Sequence, residues 1–393
     1  MKKAGINLIE VKERNRALLL QAICLADGIT RSELSESLQL SPMTVTNITS
    51  ELLQKHIIAE IPSPEQIKTP GRTPMLLRIS DVSPVILGVY ISRTCLHGVV
   101  CGMSMQLLAQ QRRQLDAADN EQTLMQKLRG LITQLAGSTD RPILALGLST
   151  VGIMNAESTG IAYVTDFFGI HSINLQQELQ PHYPFPIFVG NDMKASGLSE
   201  MYFGAGRDVE SFLYVGLTVG LGAAVVSHHE LLDACGELGH TSIDDGGLQC
   251  ACGSRGCLEL YASTPAILRQ IQCECGVTLE NMAQAAAFAL KNRNAYAVLY
   301  NAMRHLAYGL NNYLNLINVS TIILGHDAAL LPDEFVSLLE QWLLRINVSV
   351  HQRQMRPTFV KAHFGEESPV YGSICVVLQQ LFQGELFNRL YDC

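Results

Sequence analysis

The chain has 393 residues, 48% of them hydrophobic and 16% charged, with a formal net charge of −8. This balance excludes a disordered polymer and predicts two or three folded domains. The absence of any run of eighteen apolar residues excludes a spanning helix, and seven of the eleven cysteines show no staple-like spacing, which argues for reduced thiols, while clustered ones suggest a metal. Charge is uneven: residues 1–80 hold ten Lys and Arg against eight Asp and Glu, the remainder eighteen against twenty-eight, so only the first segment suits a nucleic-acid partner. The opening MKKAGINLIEVKERNRALLL has charges inside its apolar part and no small-residue cleavage site after it. It reads as the beginning of a folded cytoplasmic protein with no membrane insertion.

RNRALLLQAICLADGITRSELSESLQLSPMTVTNITSELLQKHIIAEI predicts three helices. The first stops near Asp27-Gly28. Thr30 opens a capping box with Glu33, and Leu34 and Leu38 stripe the second helix. Ser41 caps a third helix with Pro42 at its first position. Val45, Ile48 and Leu52 give that helix one buried face, while Met43, Thr44, Thr46, Asn47 and Ser50 face outward. A short helix, a tight turn and a capped helix with a polar outer face make the helix-turn-helix pattern of major-groove readers. Ser41, Met43, Thr44, Thr46, Asn47 and Ser50 are thus the candidate DNA contacts. HIIAEI and MLLRIS can pair as a wing, and Arg72, on the Gly-Pro-rich segment between them, suits a narrow minor groove.

From about Ser83 apolar runs alternate with helical stretches, which predicts α/β layers. PVILGVYIS, TCLHGVVCG, PILALGLSTVG and PIFVGND read as strands, NEQTLMQKLRGLITQLAG as an amphipathic helix, and SFLYVGLTVGLGAAVVS as a glycine-rich hairpin. INVSTIILGHDAALL reads as a strand entering a turn, and SICVVLQQLFQGELFNRLYDC as a helical segment returning to the first lobe. Cys273 and Cys275 read as two cysteines on a helix start.

One histidine and three cysteines fall within GELGHTSIDDGGLQCACGSRGCLELYAS. His240, Cys250, Cys252 and Cys257 can close a tetrahedral shell around one zinc per chain, and four protein ligands make it structural rather than catalytic. Gly246, Gly247, Gly253 and Gly256 let so short a loop fold back on itself. Glu237, three residues before His240, falls on the same side of one helical turn.

These pieces together resemble the ROK group (repressors, open reading frames and sugar kinases), most specifically over residues 236–259 and in NDMKASGLSEMYFGAG. The N-terminal helices make the repressor branch the nearer likeness. The resemblance implies a winged helix-turn-helix over residues 1–80 followed by a two-lobed, actin- and hexokinase-like body. Its first α/β lobe would take residues 81–190 with the C-terminal helix 374–393, and its second residues 191–373. It also implies the same four zinc ligands, and a sugar site in the interlobe cleft made by Asn191, Asp192, Glu237, His240 and Glu259, with Gly152 as a looser match.

Kinases of the group carry D-x-G-G-T as a phosphate turn, where this chain has Tyr90-Ile91-Ser92-Arg93-Thr94. LTVGLGAAV keeps Gly220 and Gly222 but has Ala223 and Ala224, and His326 follows Gly325 where a second glycine is expected. A phosphate cradle needs turns that expose N–H groups and an acid for magnesium. The expectation is therefore no enzyme. The chain reads as a homodimeric or homotetrameric repressor of carbohydrate genes that binds double-stranded operator DNA. It answers to a sugar, a sugar phosphate or a sugar-transporter subunit. The alternative is a ROK sugar kinase phosphorylating a hexose with ATP.

Overall fold

A computed structural model describes residues 8–63, 74–233, 236–346 and 356–392. Capping chemistry delimits its first elements, α1 (Leu8–Leu25), α2 (Arg31–Ser37) and α3 (Pro42–Gln54). The Thr30 side chain accepts the Glu33 N–H while the Glu33 carboxylate accepts the Thr30 N–H, a complete capping box. The Ser41 hydroxyl accepts the Thr44 N–H at the start of α3. Leu19, Leu20, Ile23, Leu34, Val45, Ile48 and Leu52 are buried. β1 (Ile58–Pro62) and β2 (Met75–Ile79) pair antiparallel as the wing reading expects, with Ile58 opposite Ile79. Arg72 and the rest of 64–73 lie outside the described residues.

The chain divides into two compact units: residues Met1–Ala162, Phe168–Gly190 and Ser373–Cys393 form one, and Tyr163–Phe167 with Asn191–Gly372 form the other. In the first, β3 (Val85–Ile91), β4 (Cys95–Gly102) and β5 (Leu107–Gln114) make an antiparallel meander. α4 (Glu121–Ala136) leads to β6 (Ile143–Thr150), parallel to β3. The small strands β7 (Ile153–Met154) and β8 (Ile161–Tyr163), α5 (Leu175–Leu179) and β9 (Ile187–Asn191) complete a sheet ordered β5-β4-β3-β6-β9, with β7 and β8 paired apart. β3 is apolar almost throughout because it is central, whereas the edge strand β5 alternates between exposed and half-buried positions.

The second unit starts with α6 (Asp192–Phe203), β10 (Phe212–Leu217), β11 (Leu221–Ser227) and β12 (Glu230–Leu231). The helices α7 (Glu259–Ala262), α8 (Thr264–Cys275), α9 (Met282–Ala289) and α10 (Arg293–Leu314) precede β13 (Thr321–His326). α11 (Asp333–Ile346) and β14 (Thr358–Lys361) follow, in a sheet ordered β12-β11-β10-β13-β14. β13 runs parallel to both β10 and β14. Its main core joins Leu213, Val215 and Leu324 of the sheet to Leu299, Leu306 and Leu310 of α10 and Phe335 and Leu339 of α11. Cys273 and Cys275, expected at a helix start, occupy the last turn of α8, which Gly276 ends in the left-handed region at φ 66°.

The last helices are α12 (Ser368–Phe382) and α13 (Phe387–Asp392). From Ser373 onward they pack with the first unit, and a row of glycines explains how. Gly88 and Gly147 are register partners on β3 and β6. A Cβ on Gly147 would stand 1.8 Å from the Ser373 carbonyl oxygen, and one on Gly88 2.3 Å from the Ser373 hydroxyl. Without side chains at these positions the helix backbone rests directly on the sheet. In the second unit the fully buried Glu200 carboxylate accepts N–H groups from Ala205, His363 and Phe364 and the Ser368 hydroxyl. That one charge holds two distant chain segments together. No described helix is long and apolar enough to cross a membrane.

Candidate functional site

Three regions carry the candidate residues. The first is α3. Its buried side is Val45, Ile48, Thr49 and Leu52, and its exposed side is Met43, Thr46, Asn47, Ser50 and Gln54. Met43, Asn47, Ser50 and Gln54 follow i, i+4, i+7 and i+11, a straight row along the helix. Ser41 and Thr44 serve the cap, since their hydroxyls pair with each other at 2.8 Å besides the backbone bond. Around the helix the cations are engaged. Arg31 bonds Thr49 Oγ1 at 3.1 Å and pairs with Glu60, and Arg16 pairs with Glu51. Lys55 Nζ donates to the Tyr391 carbonyl at 2.7 Å, and the Tyr391 ring lies under the Arg16 guanidinium at 5.3 Å. The N-terminal helices are thereby tied to the C-terminal helix of their own unit, a contact that local sequence rules do not reveal.

The second region is the loop between β12 and α7. One 3₁₀ turn, Leu238–His240, carries the histidine, and isolated bridges Ser242–Cys257 and Gln249–Arg255 zip the loop. At Gly256, φ is 66° and a Cβ would stand 1.7 Å from the Asp244 carbonyl oxygen, so only glycine closes this turn. The ligand atoms of His240, Cys250, Cys252 and Cys257 lie within 4.8 Å of one another. Cys252 Sγ is 3.6 Å from Cys257 Sγ, and Cys250 Sγ is 3.8 Å from His240 Nδ1. Sulfurs bound to one zinc at about 2.3 Å stand about 3.8 Å apart, so this donor set fits the shell of a tetrahedral metal. Burial pushes the Cys250 thiol up to about 12, so a thiolate there needs a bound cation.

The acids beside this loop are also brought together. His240 Nε2 is 3.9 Å from Glu237 Oε2, while His240 Nδ1 faces Cys250 and lies 3.5 Å from Glu259 Oε1. The two ring nitrogens thus face different partners. Burial, reinforced by the neighbouring Glu259 charge, raises the Glu237 carboxyl above its ordinary value, and His240 opposes that shift. Asn191 and Asp192 belong to the same unit at the start of α6. Asn191 Oδ1 accepts the N–H groups of Met193 and Lys194, and Asp192 is 5% exposed. Gly152 lies in the first unit, at φ 97° on the turn after β6.

The third region is the turn that would have to hold phosphate. Ser92 Oγ accepts the N–H of Thr94 at 3.2 Å and that of Cys95 at 2.9 Å, and the Ser92 N–H goes to the Cys95 carbonyl. The backbone donors of Ser92, Thr94 and Cys95, to which a phosphate would turn, are already bonded within the turn itself. At the end of β13, His326 adopts φ 53°, is 5% exposed, and has an Nε2 with no hydrogen-bond partner among the described residues. A Cβ on Gly216 would meet its ring at 2.9 Å, so the imidazole fills space beside the sheet.

Comparison with known proteins gives these regions a family. The chain is 28% identical over 322 residues to the xylose repressor of Bacillus subtilis (strain 168), covering 80% of this chain and 82% of that one. It is 27% identical over 409 aligned positions to the DNA-binding transcriptional dual regulator NagC of Escherichia coli (strain K12), covering 98% and 97%. A ROK family transcriptional regulator described as a homologue of the E. coli Mlc protein superposes with a TM-score of 0.82 at 23% identity, over 98% of this chain and 100% of that one. The ROK family model matches residues 86–380, the greater part of both sheets together with the cysteine loop; the chain belongs to the ROK family.

Proposed function

We propose that this protein is a sugar-responsive transcriptional repressor: residues 1–80 read an operator, and the body, 81–190 with 374–393 and 191–373, senses the signal. The observation that carries this reading is the exposed row on α3, in a family member whose phosphate turn is closed on Ser92. Relatives named xylose repressor and N-acetylglucosamine repressor favour it over a kinase. Asn191, Asp192, Glu237, His240 and Glu259 supply acceptors and donors for sugar hydroxyls. His240, Cys250, Cys252 and Cys257 hold one structural zinc that keeps Glu237 and Glu259 in position. The protein acts in the cytoplasm as a homodimer or homotetramer on a palindromic site. A sugar phosphate, or a sugar-transporter subunit at the body, would be a further signal of the same kind.

The test is footprinting with purified protein, then release by a panel of hexoses, amino sugars and their phosphates. Asp192→Asn and Glu259→Gln are expected to raise the dissociation constant for the effector by about one to two decades while leaving ligand-free DNA binding intact. Sugar-dependent ATP turnover abolished by Asp192→Asn would instead make the chain a kinase.

A further inference from the structure

The reading helix carries no lysine or arginine from Pro42 to Gln54. Guanine is read in the major groove chiefly by Arg or Lys at O6 and N7, adenine by Asn or Gln at N7 and N6, and thymine by apolar contact with its methyl group. Base contacts come mostly from the first turns of such a helix. In those turns α3 offers Met43, 69% exposed, then Thr46 and Asn47. The Thr46 hydroxyl donates to the Pro42 carbonyl at 2.8 Å, which leaves its methyl and a lone pair for a partner. The Asn47 side chain is exposed and bonds no described residue, so both its donor and its acceptor are available. The cations close to the helix are already paired, Arg31 with Glu60 and with Thr49 on the buried side of α3, and Lys55 with Tyr391.

We propose that α3 reads A·T base pairs: Asn47 grips one adenine through N7 and N6, and Met43 and Thr46 pack on thymine methyls. This rests on the operator-reading assignment of the head and names what that head recognises. The missing guanine reader is as informative as the groups present. An A·T pair offers the methyl that a helix with no cation and with apolar groups on its outer face can bury, and a G·C pair offers none.

The experiment selects duplexes from a random pool with the full-length protein, then replaces single thymines of the selected half-site by uracil. Uracil removes only the methyl. A·T pairs are expected under α3, and uracil at one or two of them is expected to weaken wild-type binding roughly three- to tenfold, from the burial of one methyl. Met43→Ala should erase that sensitivity at its position. Asn47→Ala should lose about tenfold or more, together with the preference for its adenine, which 7-deazaadenine should reproduce in the wild type. Both residues are exposed, so matching melting curves will establish that the variants fold. Half-sites with G·C under α3, or binding indifferent to uracil, overturn the proposal while leaving the head a DNA reader. A pool from which nothing is enriched overturns the operator reading itself, and this proposal with it.

Discussion

The two five-stranded sheets repeat one design. Each begins with an antiparallel hairpin and continues with parallel strands, in the orders β5-β4-β3-β6-β9 and β12-β11-β10-β13-β14. Each sets a glycine pair in register between its first and fourth strands, Gly88–Gly147 in one and Gly216–Gly325 in the other. They differ in what those glycines admit and in what joins the third strand to the fourth. In the first sheet Gly147 admits the backbone of α12 and Gly88 the side chains of Ser373 and Ile374 on the same helix, and α4 alone makes the connection. In the second they admit the side chains of Met193, Tyr214 and His326, and the connection holds the cysteine loop and four helices. Among the described residues, the repeated scaffold carries its His/Cys cluster in one copy only, in the connection that the sheet itself does not constrain.

The strongest way to break that comparison is at the metal shell. With zinc held there as proposed, Cys257→Ser is expected to lose the metal and to destabilise the second unit by about 4 kcal/mol or more, with the first unit's transition unmoved. Elemental analysis with calorimetry checks this, and a variant with full metal and an unchanged trace would contradict it. The glycine pairs give the next effect. Gly147→Ala drives a methyl into a helix carbonyl, expected at about 3 kcal/mol or more. Gly325→Ala meets the hydroxyl of the buried Tyr214 at 1.9 Å, a side chain rather than backbone, expected at about 1–2 kcal/mol. Equal losses in denaturant titrations would mean that the glycines do the same work in both sheets.

His326 should separate the sheets by pH. Burial lowers its imidazole from 6.5 to about 4, so the unfolded chain binds a proton that the folded chain refuses between those values. The residue has no effect above about pH 6.5 and becomes increasingly destabilising down to about pH 4, by up to about 3 kcal/mol. His326→Asn, which tolerates the positive φ, is expected to flatten that acid slope relative to wild type. Parallel slopes would contradict the assignment. The smallest effect belongs to the head. Tyr391→Leu removes the ring beneath Arg16 and near Lys55 and is expected to cost about 1 kcal/mol in the first unit's transition.

The head was legible because its signals are local. Thr30, Ser41 and Pro42 act within one helical turn, and the spacing of Val45, Ile48 and Leu52 gave the buried face before any contact was known. The apolar strands β3 and β6 were legible for the same reason. The edge strand β5 was not anticipated, because its sequence LLAQQRRQ lacks the apolar content that marks a buried strand. Cys273 and Cys275 were put at the wrong end of their helix, because their own spacing says nothing of a start at Thr264 or a stop at Gly276.

The His/Cys cluster, the helix caps and the strand runs were determined by the sequence itself, since each depends on chemistry carried by residues close together in the chain. Tertiary structure decided the rest. It set which nitrogen of His240 faces the cysteines, that Ser92 closes its turn upon itself, that Glu200 gathers N–H groups from a segment more than 160 residues away, and that Gly88 and Gly147 stand side by side. The reason is register: strand pairing and helix docking bring together groups remote in the chain, and no periodicity within three or four residues encodes which of them will meet.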